Sequence, residues 1–160
     1  MANESVLAAL QAQRDAILAG VQGARPSDMI LISDVDEIPR ASSIKQALDE
    51  NLDTAAFCFP LFYYKFNIRN TKGAPMMPYT VAVRRSLLQS PHNARKNMGA
   101  YPMFLDAGWH FSYLGSPDLI RKKIESFSHT EFDTPEIKNR IEEAVSRVED
   151  FRPDSAYEWG

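Results

Sequence analysis

The stretch Met29-Ile30-Leu31-Ile32-Ser33-Asp34-Val35-Asp36-Glu37-Ile38-Pro39 decides how the rest of the chain is read. Its short apolar run has the length and side chains of a buried strand. Three carboxylates follow within four positions, and Pro39 closes the segment. In open α/β sheets ligands gather at the carboxyl ends of strands, which is where these acids begin. Asp34 and Asp36 are two apart, so in an extended backbone both face one side and Glu37 the other. Like charges this close repel one another. A divalent cation relieves that repulsion, and carboxylate oxygens suit Mg²⁺ or Mn²⁺. A helix cap or polar turn is the competing reading, because Asp and Pro favour both.

The 160 residues are enough for one ordinary domain with a real core. A composition of 44% hydrophobic and 24% charged residues fits a globular chain, and a net charge of -3 argues against a broad nucleic-acid or anionic-membrane footprint. The single cysteine, Cys58, sits in an apolar run and reads as a small core hydrophobe. No segment reaches the ~18 consecutive apolar residues of a membrane span. Glu4 comes early and no basic start with an apolar core follows, so a signal peptide is not expected and a cytoplasmic location is.

Away from the acidic stretch, apolar spacing predicts an amphipathic helix over residues 4–19, with Arg14 and Asp15 on its solvated face. A short helix is expected over 41–50, and an aromatic strand over 55–66 with Pro60 marking a bulge or edge. Tyr63, Tyr64 or Asn67 is the alternative groove lining in a run that otherwise reads as core. Tyr79 to Arg84 reads as another short strand. Arg84, Arg85, Arg95 and Lys96 belong to a segment read as a solvated basic loop, phosphate neutralisation being the alternative. A strand is expected over 105–114. A helix then begins at Ser116-Pro117-Asp118, and another over 135–148 opens after Thr134. Strands and helices alternate, which favours an α/β fold. One domain is expected over 1–151, with a polar tail over 152–160.

Three blocks stand in order: Ile32-Ser33-Asp34-Val35-Asp36-Glu37-Ile38-Pro39, Phe62-Tyr63-Tyr64-Lys65-Phe66-Asn67, and Ala107-Gly108-Trp109-His110-Phe111-Ser112-Tyr113. Lys122-Lys123 and Ser126-Phe127-Ser128-His129-Thr130-Glu131 follow them. Together they resemble glycosyltransferase family 17, the family of the β-1,4-mannosyl-glycoprotein N-acetylglucosaminyltransferases, over about residues 10–132. The resemblance implies a GT-A-like, Rossmann-related mixed sheet flanked by helices. It implies inverting transfer of a sugar, N-acetylglucosamine, from a nucleotide-sugar donor such as UDP-N-acetylglucosamine to a glycan acceptor. On this reading Asp34, Asp36 and His110 hold Mn²⁺ or Mg²⁺, which stabilises the charge growing on the leaving diphosphate. Glu131 or Asp106 is the general base that takes the acceptor proton. Glu37 holds the loop or meets the donor ribose, Trp109 stacks on a sugar ring, and Lys122 or Lys123 meets the diphosphate.

In GT-A proteins a first strand and a nucleobase-binding loop precede the Asp-x-Asp strand, whereas only about 28 residues do so here. A fragment or reduced relative is therefore expected, lacking part of the upstream nucleotide-binding half. Two other classes compete: a non-catalytic carbohydrate-binding remnant of that fold, and a haloacid-dehalogenase-like phosphatase with Asp34 as nucleophile. The phosphatase pattern wants Thr or Val where Ile38 stands, and it wants a downstream Asp-Asp pair that the chain lacks.

Overall fold

The computed structural model describes residues 4–72, 76–126, 132–152 and 159. Among them the elements run α1 (Glu4–Asp15), α2 (Ile17–Gly20), β1 (Met29–Ile32), β2 (Glu37–Pro39), α3 (Ala41–Asp49), β3 (Thr54–Tyr63) and β4 (Met76–Arg84), then α4 (Pro91–Lys96), β5 (Met103–Phe104), β6 (Gly108–Ser112), α5 (Pro117–Ser126) and α6 (Pro135–Arg147). The strands form a mixed sheet flanked by helices, in the hydrogen-bonded order β1-β4-β3-β6-β2, with β5 also paired to β3. The α/β expectation therefore holds. No helix among the described residues is long and apolar enough to cross a membrane.

The chain divides into two compact units, Met1–Phe59 with Pro78–Trp109 and Pro60–Met77 with His110–Gly160. In the first, β1 pairs antiparallel with β4, from Met29 opposite Arg84 to Ile32 opposite Val81. Strand alternation sends Val81 and Val83 to one face, where they meet Ile32, Leu88 and Ala94 of α4, with Ile17 and Leu18 of α2 packed against them. Ala82 faces the other way, into a cluster with Phe57, Phe59 and Ala107 that α3 covers through Ala47 and Ile44. Each large apolar side chain withdrawn from water in these layers contributes roughly 1.5–3 kcal/mol before the entropy of ordering it is counted.

The second unit is built on Leu61–Tyr63 of β3, which pair parallel with His110–Ser112 of β6. Its core joins Leu61, Tyr63, Tyr64, Tyr113 and Phe151 to Ile120 and Ile124 of α5 and to Ile137, Ile141 and Ala144 of α6. The helix signals work as the sequence predicts. Ser116 precedes α5, and the Thr134 hydroxyl accepts the Ile137 N–H to cap α6.

Four expectations can be set beside the strands as they pair and pack. The apolar run Met29–Ile32 is the terminal strand of the order rather than a strand buried on both sides, and Leu31 stays 38% exposed. An edge strand has one neighbour only, and a continuous apolar run does not reveal which position it will take. Pro60 lies inside β3, between Phe57, the last residue paired to β5, and Leu61, the first paired to β6. A residue without an N–H suits the point where one partner gives way to the next. Tyr63 and Tyr64 are buried at 2% and 3%, as the core reading of the aromatic run expects, so neither takes the alternative groove role, whereas Asn67 is exposed. In the stretch read as a polar tail, Trp159 stacks on Tyr63 with ring centroids 4.1 Å apart.

Candidate functional site

The four residues after β1 do not continue as extended chain. The Glu37 N–H donates to the Asp34 carbonyl at 3.0 Å, closing a turn over Asp34–Glu37. The alternation expected of Asp34, Asp36 and Glu37 therefore does not apply. Val35 stands fully in solvent, Asp34 is exposed, Asp36 is half-buried, and Glu37 is turned inward at 5% exposure.

Glu37 is the organising residue of this turn. Its Oε1 accepts from Arg95 Nη2 at 2.7 Å, and its Oε2 accepts from Arg95 Nη1 at 2.9 Å, a two-pronged pairing in which both side chains are almost fully buried. Oε2 also accepts the Asp34 backbone N–H at 2.8 Å. Hydroxyls complete the arrangement: Ser33 Oγ donates to the Glu37 carbonyl at 2.9 Å and lies 2.6 Å from Thr80 Oγ1 on β4. Of the two roles expected for Glu37, the geometry matches the loop-holding one. A carboxylate closed in by Arg95 is not presented to a ribose.

Arg95 reaches beyond Glu37 to Asp34, with Nη1 3.2 Å from Oδ1. Burial opposes its charge, but Glu37, Asp34 and Asp36 outweigh that and hold its proton above the ordinary arginine range. Arg95 therefore lies in no solvated loop. It belongs to α4, which starts at Ser90-Pro91 with the Ser90 hydroxyl accepting the Asn93 N–H. The same Ser-Pro signal opens α5.

A second arginine meets the turn from the other side. Arg14, in the last turn of α1, places Nη2 3.5 Å from Asp34 Oδ2. Its neighbour Asp15 accepts the Ser90 hydroxyl at 2.7 Å and the His92 backbone N–H at 3.1 Å. The His92 N–H first, and the Ser90 hydroxyl next, hold the Asp15 carboxyl below its usual range. The Arg14-Asp15 pair, expected on a solvated face, thus ties α1 to α4 and to the acidic turn.

The Gly-Trp-His block meets the Asp-Glu-Ile-Pro block directly. The Arg40 N–H donates to the Ala107 carbonyl at 2.7 Å, and Ala107 in turn donates to the Cys58 carbonyl at 2.9 Å. A Cβ on Gly108 would overlap the Ile38 carbonyl oxygen and stand 2.6 Å from Phe59 Cε1 and 2.8 Å from Pro39 Cα, so the glycine is what lets β2 and β6 close. Arg40 lies over the Trp109 ring, 4.0 Å from its centroid, and its Nε donates to the Asp106 carbonyl at 2.9 Å. Asp106 occupies the left-handed region at φ 49 and holds an exposed carboxylate 3.4 Å from Arg40 Nη2.

Of the remaining expected site residues, His110 belongs to the second unit, where it pairs in register with Leu61. Lys122 is exposed on α5, and Lys123 lies over the Tyr113 ring at 4.9 Å. Glu131 lies outside the described residues. Cys58 is buried in β3, and burial pushes its thiol up from the ordinary range.

A magnesium-like cation is commonly held by one or two carboxylates and takes the rest of its shell from water and substrate phosphate oxygens. Asp34 and Asp36 lie on one turn, but both carboxylate oxygens of Asp34 face guanidinium groups, Oδ1 that of Arg95 and Oδ2 that of Arg14. Among the described residues no group of three or more His, Cys, Asp and Glu side chains is assembled to hold a metal ion. No family model matches the chain, and no curated protein or solved structure does.

Proposed function

We propose that this chain carries the donor end of a glycosyltransferase site of the family 17 type, on a GT-A-like sheet, and transfers N-acetylglucosamine from UDP-N-acetylglucosamine to a glycan with inversion. One observation carries the reading: Asp34 and Asp36 share a turn at the carboxyl end of β1 whose shape a buried Glu37–Arg95 pair sets in advance. Sites that stabilise developing charge work best when their groups are fixed before the substrate arrives.

Asp34 and Asp36 would hold Mn²⁺ or Mg²⁺, whereas His110, the imidazole expected from the later strand, belongs to the other compact unit. The cation supplies Lewis-acid stabilisation of the leaving diphosphate. Trp109 offers an aromatic face to a sugar ring, Lys122 a positive charge to the diphosphate, and Glu131 or Asp106 a carboxylate to take the acceptor proton. The cytoplasmic location expected from the sequence belongs to the same proposal.

Calorimetric titration of UDP-N-acetylglucosamine in Mn²⁺ tests the reading on the 160-residue chain. Asp36→Ala should abolish binding. Equal binding by both proteins removes the assigned role.

A further inference from the structure

In the second unit, β3 folds back on itself as a short hairpin. The Tyr63 N–H donates to the Ile68 carbonyl at 2.9 Å and the Asn70 N–H to the Leu61 carbonyl at 2.8 Å, so residues 64–67 form the tip. Tyr64, in the left-handed region at φ 60, and Ile68 are buried at 3% and 8% and anchor it. Phe66 stands out from this tip at 72% exposure. Its ring meets Phe111 edge-on, with centroids 5.1 Å apart and planes 80° apart, and Phe111 in turn meets Phe62 at 5.3 Å. Leu61 and Tyr63 pack toward α5 and α6, so strand alternation puts Phe62 and the two rings it leads to on the opposite face. A projecting ring backed by two half-buried rings is a built apolar point, not a scattered surface residue.

The charge around that point is of one sign. No Asp or Glu occurs between Asp53 and Asp106. Lys65, Arg69 and Lys72 are all exposed. Arg69 stands directly across the hairpin from Phe62, which puts it on the aromatic face. Among the described residues neither Lys65 nor Arg69 has a carboxylate partner. A net charge of -3 for the whole chain argues against a broad anionic footprint, but these cations gather around a single ring on a single hairpin.

We infer that this hairpin docks on an anionic lipid bilayer, with Phe66 entering the interfacial layer and Lys65 and Arg69 meeting lipid phosphates. Phenylalanine has no polar atom to satisfy, and the long stems of lysine and arginine let their charges stay at the headgroups while the ring goes deeper. A platform for stacking nucleobases would lay its ring faces along the sheet, whereas Phe66 stands upright on Phe111. One ring and a few cations make a reversible, salt-sensitive contact rather than an anchor. The inference goes beyond sugar transfer and does not depend on it.

Flotation with unilamellar vesicles tests it on the full 160-residue chain. The vesicles are phosphatidylcholine alone, or phosphatidylcholine and phosphatidylserine in equal parts. The chain should float with the mixed vesicles at low salt, stay behind with the neutral ones, and come off at about 1 M salt, where the screening length is about 3 Å. Phe66→Ser should weaken binding about tenfold and Arg69→Gln about fivefold, with near-UV circular dichroism unchanged because both positions are exposed. Arg147→Gln removes the same unit of charge from α6 and should leave binding as it is. Phe66→Trp should bind like wild type and gain fluorescence that brominated acyl chains quench. The inference is overturned by any of four results: no flotation with the mixed vesicles, undiminished binding by Phe66→Ser, equal losses in Arg69→Gln and Arg147→Gln, or unquenched fluorescence in Phe66→Trp. Tighter binding to a single-stranded oligonucleotide than to the mixed vesicles overturns it as well. Each of these leaves the sugar-transfer reading standing.

Discussion

Glu37 and Arg95, 58 positions apart in the chain, close on each other through two hydrogen bonds of 2.7 and 2.9 Å, and the side chains on both sides are almost fully buried. Removing one partner of such a pair strands a charge in a low-dielectric interior, which costs far more than the pair contributes when complete. Glu37→Gln should therefore lower stability by about 3 kcal/mol in urea-induced unfolding. Adding Arg95→Met to it should recover part of that loss. If the double variant loses as much as the two single losses added together, the pair is not acting as one unit.

Gly108 has no room for a side chain against Ile38, Pro39 and Phe59. The clash is with backbone as well as with a ring, so no rotamer change relieves it. Gly108→Ala should cost about 2–3 kcal/mol in chemical denaturation. A variant as stable as wild type would show that β2 and β6 are not packed this closely.

Asp15 supplies a pH dependence. Its carboxyl is held below the ordinary range by the His92 N–H and the Ser90 hydroxyl. A carboxylate lowered on folding contributes stability that is fully present above its unfolded value, about 3.9, and is lost as pH falls through the folded value. Wild type should thus exceed Asp15→Asn in melting temperature at pH 7, and the gap should close as the pH falls below about 4. A gap that persists at pH 2 would assign the effect to something other than ionisation.

Tyr64 donates its hydroxyl to the Glu149 carbonyl at 2.7 Å, and burial drives the phenol well above its usual range. Tyr64→Phe leaves that carbonyl without its donor and should cost about 1 kcal/mol, read by thermal unfolding. No change would mean that water replaces the bond.

Particular residues show where sequence reading reaches. Caps announce themselves locally, so Ser116-Pro117 and Thr134-Pro135 mark α5 and α6 within a residue or so. Aromatic density marks β3. Glu37 could be singled out as an acid in a motif, but its partner is a long-range choice that no periodicity encodes. The same holds for Arg14, whose position depends on Asp15 finding Ser90 at the start of another helix. The turn over Asp34–Glu37 agrees with the polar-turn reading that Asp and Pro favour, whereas the extended alternation of the three acids gives way to the local bond from the Glu37 N–H to the Asp34 carbonyl. Ser90-Pro91 is a legible helix start set among charges that favour a loop reading.

The clasp around Glu37 also sets an order of events during translation. Glu37 leaves the ribosome 58 positions ahead of the arginine that forks onto it, which at 5–20 residues per second is a delay of roughly 3–12 s. Throughout that interval Glu37 lacks its buried partner, so its fork closes only after α4 has been synthesised.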